Sequence, residues 1–244
     1  MTSPVFTFDV LTIFPGMVSH AVRYSLLGKA IESGIIEIRV HNIRDFATDK
    51  HRSVDDEPFG GGPGMVMMVE PIVSCLRHVR SIVGNKTKAY LLSASGKPFN
   101  QKMAREIAQN ETGLILICGH YEGVDERVAE HYVDGELCIG DYVLGGGEVA
   151  ALVVIEAVSR LVPGVVGNYQ STRSESFEDD LLDYPQFTRP RVFEGHAVPD
   201  VLLSGNHLEI ERFRRQMAIE KTKTNRPDLY QRFLAKRGGF NEQK

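Results

Sequence analysis

Three glycine-marked bends place acidic and aromatic residues beside backbone that can approach a ligand closely. They read "LLSASGKP" (91–98), "ICGHYEGVDER" (117–127) and "IGDYVLGGGE" (139–148). Glycine has no Cβ, so such bends can wrap main chain around a small molecule in ways that other residues do not allow. Their repetition predicts one ligand site that is built largely from backbone.

The acidic residues of these bends argue against a nucleotide phosphate as that ligand. Glu122, Asp125, Asp141 and Glu148 would repel a di- or triphosphate. The sequence also has no G-x-x-x-x-G-K-[ST] motif, and its first strand leads into no G-x-G-x-x-G. Backbone polar groups, apolar walls and nearby carboxylates suit a purine nucleoside that carries a positive group, as S-adenosylmethionine does.

The elements that must position these bends alternate between strand and helix from residue 5 to about 161. Predicted strands are "VFTFDVLTIF", "IIEIRVHNI", "TKAYLLS", "GLILICG" and "ELCIG". Predicted helices are "PGMVSHAVRYSLLGKAIESG", "FNQKMAREIAQN", "VDERVAEHY" and "EVAALVVIEAVSRLV". The rhythm indicates an α/β fold with a parallel sheet buried on both faces, in which ligands collect at the carboxyl ends of the strands.

A connector and a small helical module follow Pro163-Gly164. About thirty mixed polar and acidic residues are long for a structureless connection, which indicates a boundary that contains a functional loop. In "NHLEIERFRRQMAIEKTKT", Asn206 and Glu209 form a capping-box pattern. The apolar stripe of that helix is Ile210, Phe213 and Met217, and a second helix begins at Pro227.

Charge is distributed unevenly along the chain. The total is −4, but residues 205–244 contain ten Lys/Arg and five Asp/Glu, so they carry +5 and the rest carries −9. The basic tail fits contact with a polyanion, and a solvated helix face explains it equally well on charge alone.

The sequence predicts an ordinary cytosolic globular protein. The N-terminus lacks the pattern of a secretory signal, and no apolar run approaches the length of a spanning helix, so we expect a cytoplasmic protein without membrane contact. Cys75, Cys118 and Cys138 lie in apolar surroundings without zinc-ligand spacing, which predicts reduced, buried thiols and no metal site.

Several longer motifs resemble the bacterial tRNA (guanine-N1)-methyltransferase family, TrmD. They are "DKHRSVDDEPFGGGPGMVMMVEP", "CGHYEGVDERV", "IGDYVLGGGE", "SRLVPGVVGN", "LLDYPQFTRP" and "VPDVLLSGNHLEIERFR", which run in order from about residue 49 to 214. The resemblance implies a SPOUT-type α/β fold whose parallel sheet ends in a trefoil knot, plus a small C-terminal helical domain. The implied domains are a methyltransferase domain at 1–166, a flexible linker at 167–190 and a tRNA-binding domain at 191–244.

The resemblance also implies methyl transfer from S-adenosylmethionine to N1 of guanosine 37 in tRNA, with S-adenosylhomocysteine as product. Magnesium stays open as an additional cofactor. The implied cofactor contacts come from all three bends: Leu92, Ser93, Gly119, Tyr121, Glu122, Gly123, Ile139, Gly140, Tyr142, Val143, Leu144, Gly146 and Gly147.

Methylation of N1 requires a general base, because that nitrogen carries a proton at neutral pH. The family places an aspartate before "SF" in the connector, assisted by an arginine at the end of the preceding helix. Here the matching residues are Glu175 and Arg160, so the carboxylate is retained with one extra methylene. Asp179, Asp180 and Asp183 are alternatives for the base.

The RNA-facing residues are expected in two places. His51, Arg52, Asp55 and Gly61 lie in a glycine-rich polar loop, which could equally be a simple connection. Basic residues of the tail, Arg212, Arg214, Arg215 and Lys221, are expected to contact the RNA backbone. The resemblance further implies a homodimer with composite active sites and no DNA partner.

Three other functions compete with this interpretation. One is ribose 2′-O methylation within the knotted superfamily. Another is a noncatalytic RNA-binding or assembly protein that retains the cofactor pocket. The third, and the least supported, is a phosphate-dependent nucleotide enzyme.

Overall fold

The computed structural model describes residues 5–167 and 175–238. The chain divides after residue 167 into two compact units. No helix in the described ranges is both long enough and apolar enough to cross a membrane.

The first unit is built on a five-stranded parallel sheet with the order β2-β1-β6-β5-β7. The strands are β1 (Phe6–Thr12), β2 (Ile36–Asn42), β5 (Lys88–Pro98), β6 (Gly113–Cys118) and β7 (Gly135–Cys138). A separate antiparallel pair joins β3 (Asp55–Asp56) to β4 (Val66–Met67). The helices are α1 (Pro15–Ala21), α2 (Ser25–Glu32), α3 (Val69–Val83), α4 (Gln101–Asn110), α5 (Glu126–His131) and α6 (Glu148–Ser159), with a 3₁₀ helix at Ile43–Phe46.

Helices cover both faces of this sheet, as the apolar strands require. Leu114 and Leu116 of β6 lie in one buried cluster, which includes residues of α6, and Ile115 and Ile117 lie in the other, which includes residues of α3. The alternation follows from the two-residue period of a strand. The parallel α/β prediction is therefore confirmed.

Two predicted segments differ from the structure. The segment from Pro15 to Gly34 forms two helices instead of one, since the chain turns at residues 22–24 and places the Arg23 carbonyl against Gly28. A Cβ at Gly28 would lie 2.4 Å from that oxygen, so glycine permits the turn. Strand β5 also continues through "SASGKP", which the sequence predicts as a loop, and its register against β7 shifts between Leu92 and Lys97.

Helix α3 was not predicted at all. Ile72, Cys75, Leu76 and Val79 are fully buried at helical spacing, so its apolar period was a usable signal. Cys75, Cys118 and Cys138 are free and buried, as expected. Burial raises the pKa of the Cys75 thiol to about 12 and raises that of Cys118 as well.

The second unit contains a short antiparallel pair, β8 (Val192–Phe193) and β9 (His196–Ala197), and two helices, α7 (His207–Asn225) and α8 (Pro227–Gly238). Two 3₁₀ turns occupy Glu178–Asp180 and Asp200–Leu203. The predicted start of α7 is confirmed, because the Asn206 side chain accepts from the Glu209 N–H. The reciprocal bond of a capping box does not form, since the Asn206 N–H donates to Ser204 Oγ at 3.1 Å instead.

The described part of the connector is packed against the helices of its own unit. The Leu182 N–H donates to Thr222 Oγ1 at 2.8 Å, and that hydroxyl donates to the Ala218 carbonyl at 2.6 Å. Asp180 pairs with Lys236 and with Arg232. A segment that looked like a polar connection in sequence therefore has its own anchoring contacts.

A buried carboxylate joins the first two strands. Asp9 of β1 is almost fully buried and accepts a bidentate pair from Arg39 at 2.8 and 2.9 Å, plus His41 Nε2 at 2.8 Å. Burial alone would raise the pKa of Asp9, but the hydrogen bonds from His41 and Arg39 outweigh it and lower that pKa below 3.8.

We expect Arg39→Met to lower the free energy of unfolding by about 3 kcal/mol at pH 7, because it leaves a buried charge without its main partner. Since folding lowers the pKa of Asp9, its ionised form stabilises the fold above pH 3.8, and this contribution is lost as the pH falls through the folded-state pKa. The deficit of the variant should therefore shrink in acid. Urea unfolding at pH 7 and near pH 3 measures both effects.

Arg127→Met is the matched control, since Arg127 makes a similar bidentate pair with Asp125 but is 58% exposed. An exposed pair contributes at most about 1 kcal/mol. Equal losses from the two variants would contradict the role assigned to the buried pair.

Candidate functional site

One cavity of about 360 Å³ opens beside the irregular part of β5, at the carboxyl ends of β6 and β7 and at the start of α6. Every predicted cofactor residue lines it: Leu92, Ser93, Gly119, Tyr121, Glu122, Gly123, Ile139, Gly140, Tyr142, Val143, Leu144, Gly146 and Gly147. The structure thus brings together three bends that are separate in sequence, at the edge of a parallel sheet where ligands collect.

Close main-chain contacts hold these bends against one another. The Gly147 N–H donates to the Gly119 carbonyl at 2.8 Å, and a Cβ at Gly147 would lie 2.7 Å from the Cα of Cys118. His120 and Gly146 also form an isolated antiparallel bridge. The third bend can therefore reach the second only because its last residues lack side chains.

Tyr121 adopts a left-handed backbone conformation at the rim of the cavity, with φ of 61°. Such a conformation is uncommon outside glycine and marks a constrained position. Its hydroxyl accepts from Arg44 Nη2 at 3.2 Å, so the 3₁₀ helix at Ile43–Phe46 supports the second bend. Sequence reasoning missed Arg44, because nothing in its local pattern links it to a residue 77 positions away.

The acidic residues divide into two groups. Glu122 lines the cavity, together with Glu126 and Glu136, and no Lys or Arg lines it within residues 5–167 and 175–238. Asp125 instead caps α5 and pairs with Arg127 at 2.6 Å; these hydrogen bonds lower the pKa of Asp125.

The sequence predicts two further acids, Glu148 and Asp141, beside the ligand, and the structure corrects this expectation. Glu148 is buried beneath the third bend and accepts from Thr12 Oγ1 at 2.6 Å, and Asp141 does not line the cavity. Sequence reasoning missed Glu126 and Glu136 as cavity residues. Both were within reach of it, because Glu126 lies in the second bend and Glu136 begins a predicted strand that leads into the third.

His120 was also missed. It lines the cavity, and its Nδ1 is buried without a hydrogen-bond partner among residues 5–167 and 175–238. The ring meets Phe14 edge to face, with 4.9 Å between centroids. In the same two ranges, no cluster of three or more His, Cys, Asp or Glu residues could hold a metal ion.

The glycine-rich polar loop joins the second bend at one end. The Met67 N–H donates to the Gly123 carbonyl at 2.9 Å, and a Cβ at Gly64 would collide with the Glu122 side chain. Gly61, by contrast, borders open space with φ of 77°, and Phe59 is 99% exposed.

Of the residues predicted to face RNA in this loop, Asp55 lies in β3 and Arg52 pairs with Asp45 at 3.0 Å. His51 is exposed, and its N–H donates to the Asp49 side chain. All of them follow, in sequence, the 3₁₀ helix that carries Arg44.

The two predicted catalytic residues belong to different units. Arg160 is the C-cap of α6 and is half-buried. Glu175 is half-buried and directly precedes a folded turn in which the Phe177 N–H donates to the Leu181 carbonyl at 2.7 Å. The Asp183 N–H donates to Ser176 Oγ at 2.9 Å across the same turn.

The predicted basic residues of the tail lie on the exposed surface of α7. Arg212 and Lys221 are exposed, Arg214 lies 4.8 Å from the centre of the Tyr184 ring, and Arg215 pairs with Asp179 at 3.8 Å. Two of the four therefore also have contacts within their own unit.

Comparison with known proteins identifies the family. The family described as tRNA (Guanine-1)-methyltransferase TrmD matches residues 6–232. The chain belongs to this family.

Curated relatives are similar over nearly their whole length. The chain is 52% identical over 225 residues to the tRNA (guanine-N(1)-)-methyltransferase of Geobacter metallireducens, which covers 92% of the chain and 91% of that protein. It is 54% identical to the protein of the same name from Caldanaerobacter subterraneus subsp. tengcongensis, covering 91% and 90%. The protein of that name from Lachnospira eligens is 48% identical, covering 94% and 97%. The TrmD resemblance drawn from the motifs is confirmed.

We expect Gly147→Ala to lower the free energy of unfolding by about 1–3 kcal/mol, because the added methyl group would press on the backbone of Cys118 and Gly119. Gly145→Ala is the matched control in the same bend, since no atom lies within 4 Å of its Cβ position. The control should stay within about 0.5 kcal/mol of the wild type. Thermal unfolding of the protein without cofactor measures both, and equal destabilisation would contradict the close-contact argument.

Proposed function

We propose that this protein transfers the methyl group of S-adenosylmethionine to N1 of guanosine 37 in tRNA. The observation that carries the proposal is the single cavity lined by all the cofactor residues that the TrmD resemblance implies. Membership of the family supplies the reaction class, since its curated relatives are named tRNA (guanine-N(1)-)-methyltransferases.

The chemistry of the cavity suits this cofactor. Backbone N–H and C=O groups of the bends can bind the adenine edge and the ribose, while Leu92, Ile139 and Leu144 supply apolar contact. Glu122, Glu126 and Glu136 favour a positive sulfonium and disfavour a nucleotide phosphate, since no Lys or Arg accompanies them in the described part of the lining.

Glu175 is proposed as the general base. The methyl carbon leaves the sulfonium sulfur, which keeps the bonding electron pair, and it bonds to N1 as the N1 proton passes to the Glu175 carboxylate. The products are S-adenosylhomocysteine, N1-methylguanosine and a protonated Glu175. A positioned base of this kind typically contributes about 10²–10⁴-fold in rate.

The other carboxylates of the connector have contacts that favour structural roles. Asp179 pairs with Arg215, and Asp180 pairs with Lys236 and Arg232. Asp183 accepts from the Tyr184 N–H at 2.8 Å.

Arg160 is proposed to act on guanine O6, where negative charge develops as N1 loses its proton. A preorganised cation at a developing oxyanion stabilises the transition state more than the ground state. Its place as C-cap of α6 gives its backbone a fixed position relative to the sheet.

The tRNA is proposed to contact both units. His51, Arg52, Asp55 and Gly61 would face the anticodon loop, and Arg212, Arg214, Arg215 and Lys221 would contact phosphates of the stem. The target base must leave its stack to be methylated, as modified bases generally do. Such an enzyme would work in the cytoplasm, where its substrate is found.

The finer features of the fold belong to the same proposal. They are the SPOUT-type trefoil knot at the cofactor site, a methyltransferase domain at 1–166, a linker at 167–190 and a tRNA-binding helical domain at 191–244. Family membership supports them.

A homodimer with composite sites is supported by exposed apolar residues. Phe14 and Met17 at the start of α1 are 42% and 50% exposed, and Val149 and Val153 on the adjoining α6 are 47% and 43% exposed. An apolar patch of this kind on a folded protein marks an interaction surface. We propose that a second copy of the chain covers it.

We expect Val153→Glu to shift the protein from dimer to monomer, because a buried interface cannot accommodate an unpaired charge. Sedimentation velocity measures the shift. Ile82→Glu is the matched control, since Ile82 is 52% exposed on α3, outside the patch. A dimer that tolerates Val153→Glu as well as Ile82→Glu would place the interface elsewhere.

We expect Glu175→Gln to lower single-turnover methyl transfer by about 10²–10⁴-fold, because an amide cannot accept the N1 proton. Affinity for S-adenosylmethionine, measured by calorimetry, should stay within about 2-fold of the wild type.

Asp183→Asn serves as the control for removal of a connector carboxylate. If Glu175→Gln is fully active while Asp183→Asn is not, the base is a different acid of the connector. If the wild type methylates a tRNA that lacks guanosine 37, the proposed target is wrong.

A further inference from the structure

A second cavity of about 440 Å³ lies within the second unit, apart from the residues that line the cofactor cavity. Its walls come from the extended segment 184–191, from the 3₁₀ turn at Asp200–Leu203 and from α7. The lining residues are Tyr184, Pro185, Gln186, Phe187, Thr188, Arg189, Arg191, Val198, Leu202, Leu203 and Arg214. The proposed methyl transfer assigns no role to this cavity.

Hydrogen bonds and an ion pair hold its walls in place. Arg191 Nη2 pairs with Asp200 Oδ1 at 2.9 Å, and the Val198 N–H donates to the Arg191 carbonyl at 2.9 Å. At the other end, Asp183 accepts from the Tyr184 N–H at 2.8 Å and from Gln186 Nε2 at 3.3 Å. The extended segment is therefore anchored at both ends, and its residues form one wall of the cavity.

The lining combines flat surfaces with positive charge. The Arg214 guanidinium lies 4.8 Å from the centre of the Tyr184 ring, while Phe187 and Leu203 are 47% and 48% exposed. Arg189, Arg191 and Arg214 line the cavity, and no Asp or Glu of residues 175–238 lines it, although Asp200 pairs with Arg191 at its wall. Aromatic rings and guanidinium planes are the surfaces on which unpaired nucleobases stack, and arginine also binds phosphate.

We propose that this cavity binds one unstacked nucleotide of the RNA substrate, with its base against Phe187 and its phosphate near Arg189 and Arg214. The proposal rests on the proposed function, because it assumes that RNA is the substrate. The volume of the cavity lies in the range that small-ligand pockets occupy. The proposal concerns a nucleotide other than the target guanosine.

An RNA chain fits better than a free nucleotide. Arg212, Arg215 and Lys221 are exposed on the same helix that supplies Arg214, so positive charge continues beyond the cavity along α7. A single nucleotide would leave these charges unused, whereas a polymer can neutralise them along its backbone.

The first test measures tRNA affinity by fluorescence anisotropy for Phe187→Ala and Phe193→Ala. Both residues are exposed phenylalanines of the second unit, but only Phe187 lines the cavity. We expect Phe187→Ala to weaken binding roughly 10-fold or more, as loss of a stacking platform does, and Phe193→Ala to change it by less than about 2-fold. Equal effects of the two variants would overturn the proposal. If Phe187→Ala lowers the thermal midpoint, Phe187→Leu keeps the apolar volume without the flat ring and should show the same loss of affinity.

The second test identifies the nucleotide. Single abasic substitutions are placed through the anticodon loop of the tRNA, and each is measured with the wild type and with Phe187→Ala. One abasic position should weaken binding to the wild type by roughly 10-fold and binding to the variant by less than about 2-fold. The reason is that removal of the base and removal of the Phe187 ring abolish the same stacking interaction. Additive effects at every position would overturn the proposal.

Two further measurements distinguish failure of the nucleotide pocket from failure of the proposed function. They are the affinity for S-adenosylmethionine and the rate of methyl transfer at saturating tRNA. If both are normal in Phe187→Ala and tRNA affinity is unchanged, the nucleotide pocket is wrong and the methyltransferase assignment stands. If the wild type itself transfers no methyl group to tRNA, the proposed function fails, and direct binding of the RNA still decides the pocket.

Discussion

Main chain packed directly against main chain is the constraint on which the cofactor cavity depends. At Gly147 the third bend lies against the backbone of Cys118 and Gly119, and a 2.8 Å hydrogen bond fixes it there. Because α6 begins at the next residue, the same contact sets where that helix starts and how it packs on the sheet. A side chain at this point would separate the bends, and the cavity would lose one of its walls.

The charged groups of the first unit serve two purposes that sequence alone does not separate. Asp9, Asp125 and Glu148 are each satisfied by a partner in the fold, Arg39, Arg127 and Thr12 respectively. The carboxylates that line the cavity are Glu122, Glu126 and Glu136, and no Lys or Arg lies among the lining residues that the structure describes. An acidic lining around a backbone-built cavity attracts a positive ligand, and this gives a physical reason for a sulfonium donor.

In the second unit, pairs of opposite charge anchor the connector. Asp179 and Asp180 pair with basic residues of α7 and α8. Arg189, Arg191 and Arg214 line the second cavity, and Arg191 also pairs with Asp200. The basic residues proposed to contact RNA therefore include exposed groups and groups that have an acidic partner, such as Arg215.

The sequence by itself determined the parallel α/β class, the three bends, the buried thiols, the start of α7 and the family. These follow from local signals, namely periodicity, capping residues and motifs, which neighbouring residues carry in the chain. It failed at the break between α1 and α2, where the apolar pattern continues but the chain turns and the Arg23 carbonyl meets Gly28. Only the tertiary structure decided which acids face the cavity, that Arg44 supports Tyr121, and that Thr12 holds a carboxylate 136 residues away. Hydrogen bonds and burial depend on distance in space, and residues that meet through the fold leave no mark in the spacing of the sequence.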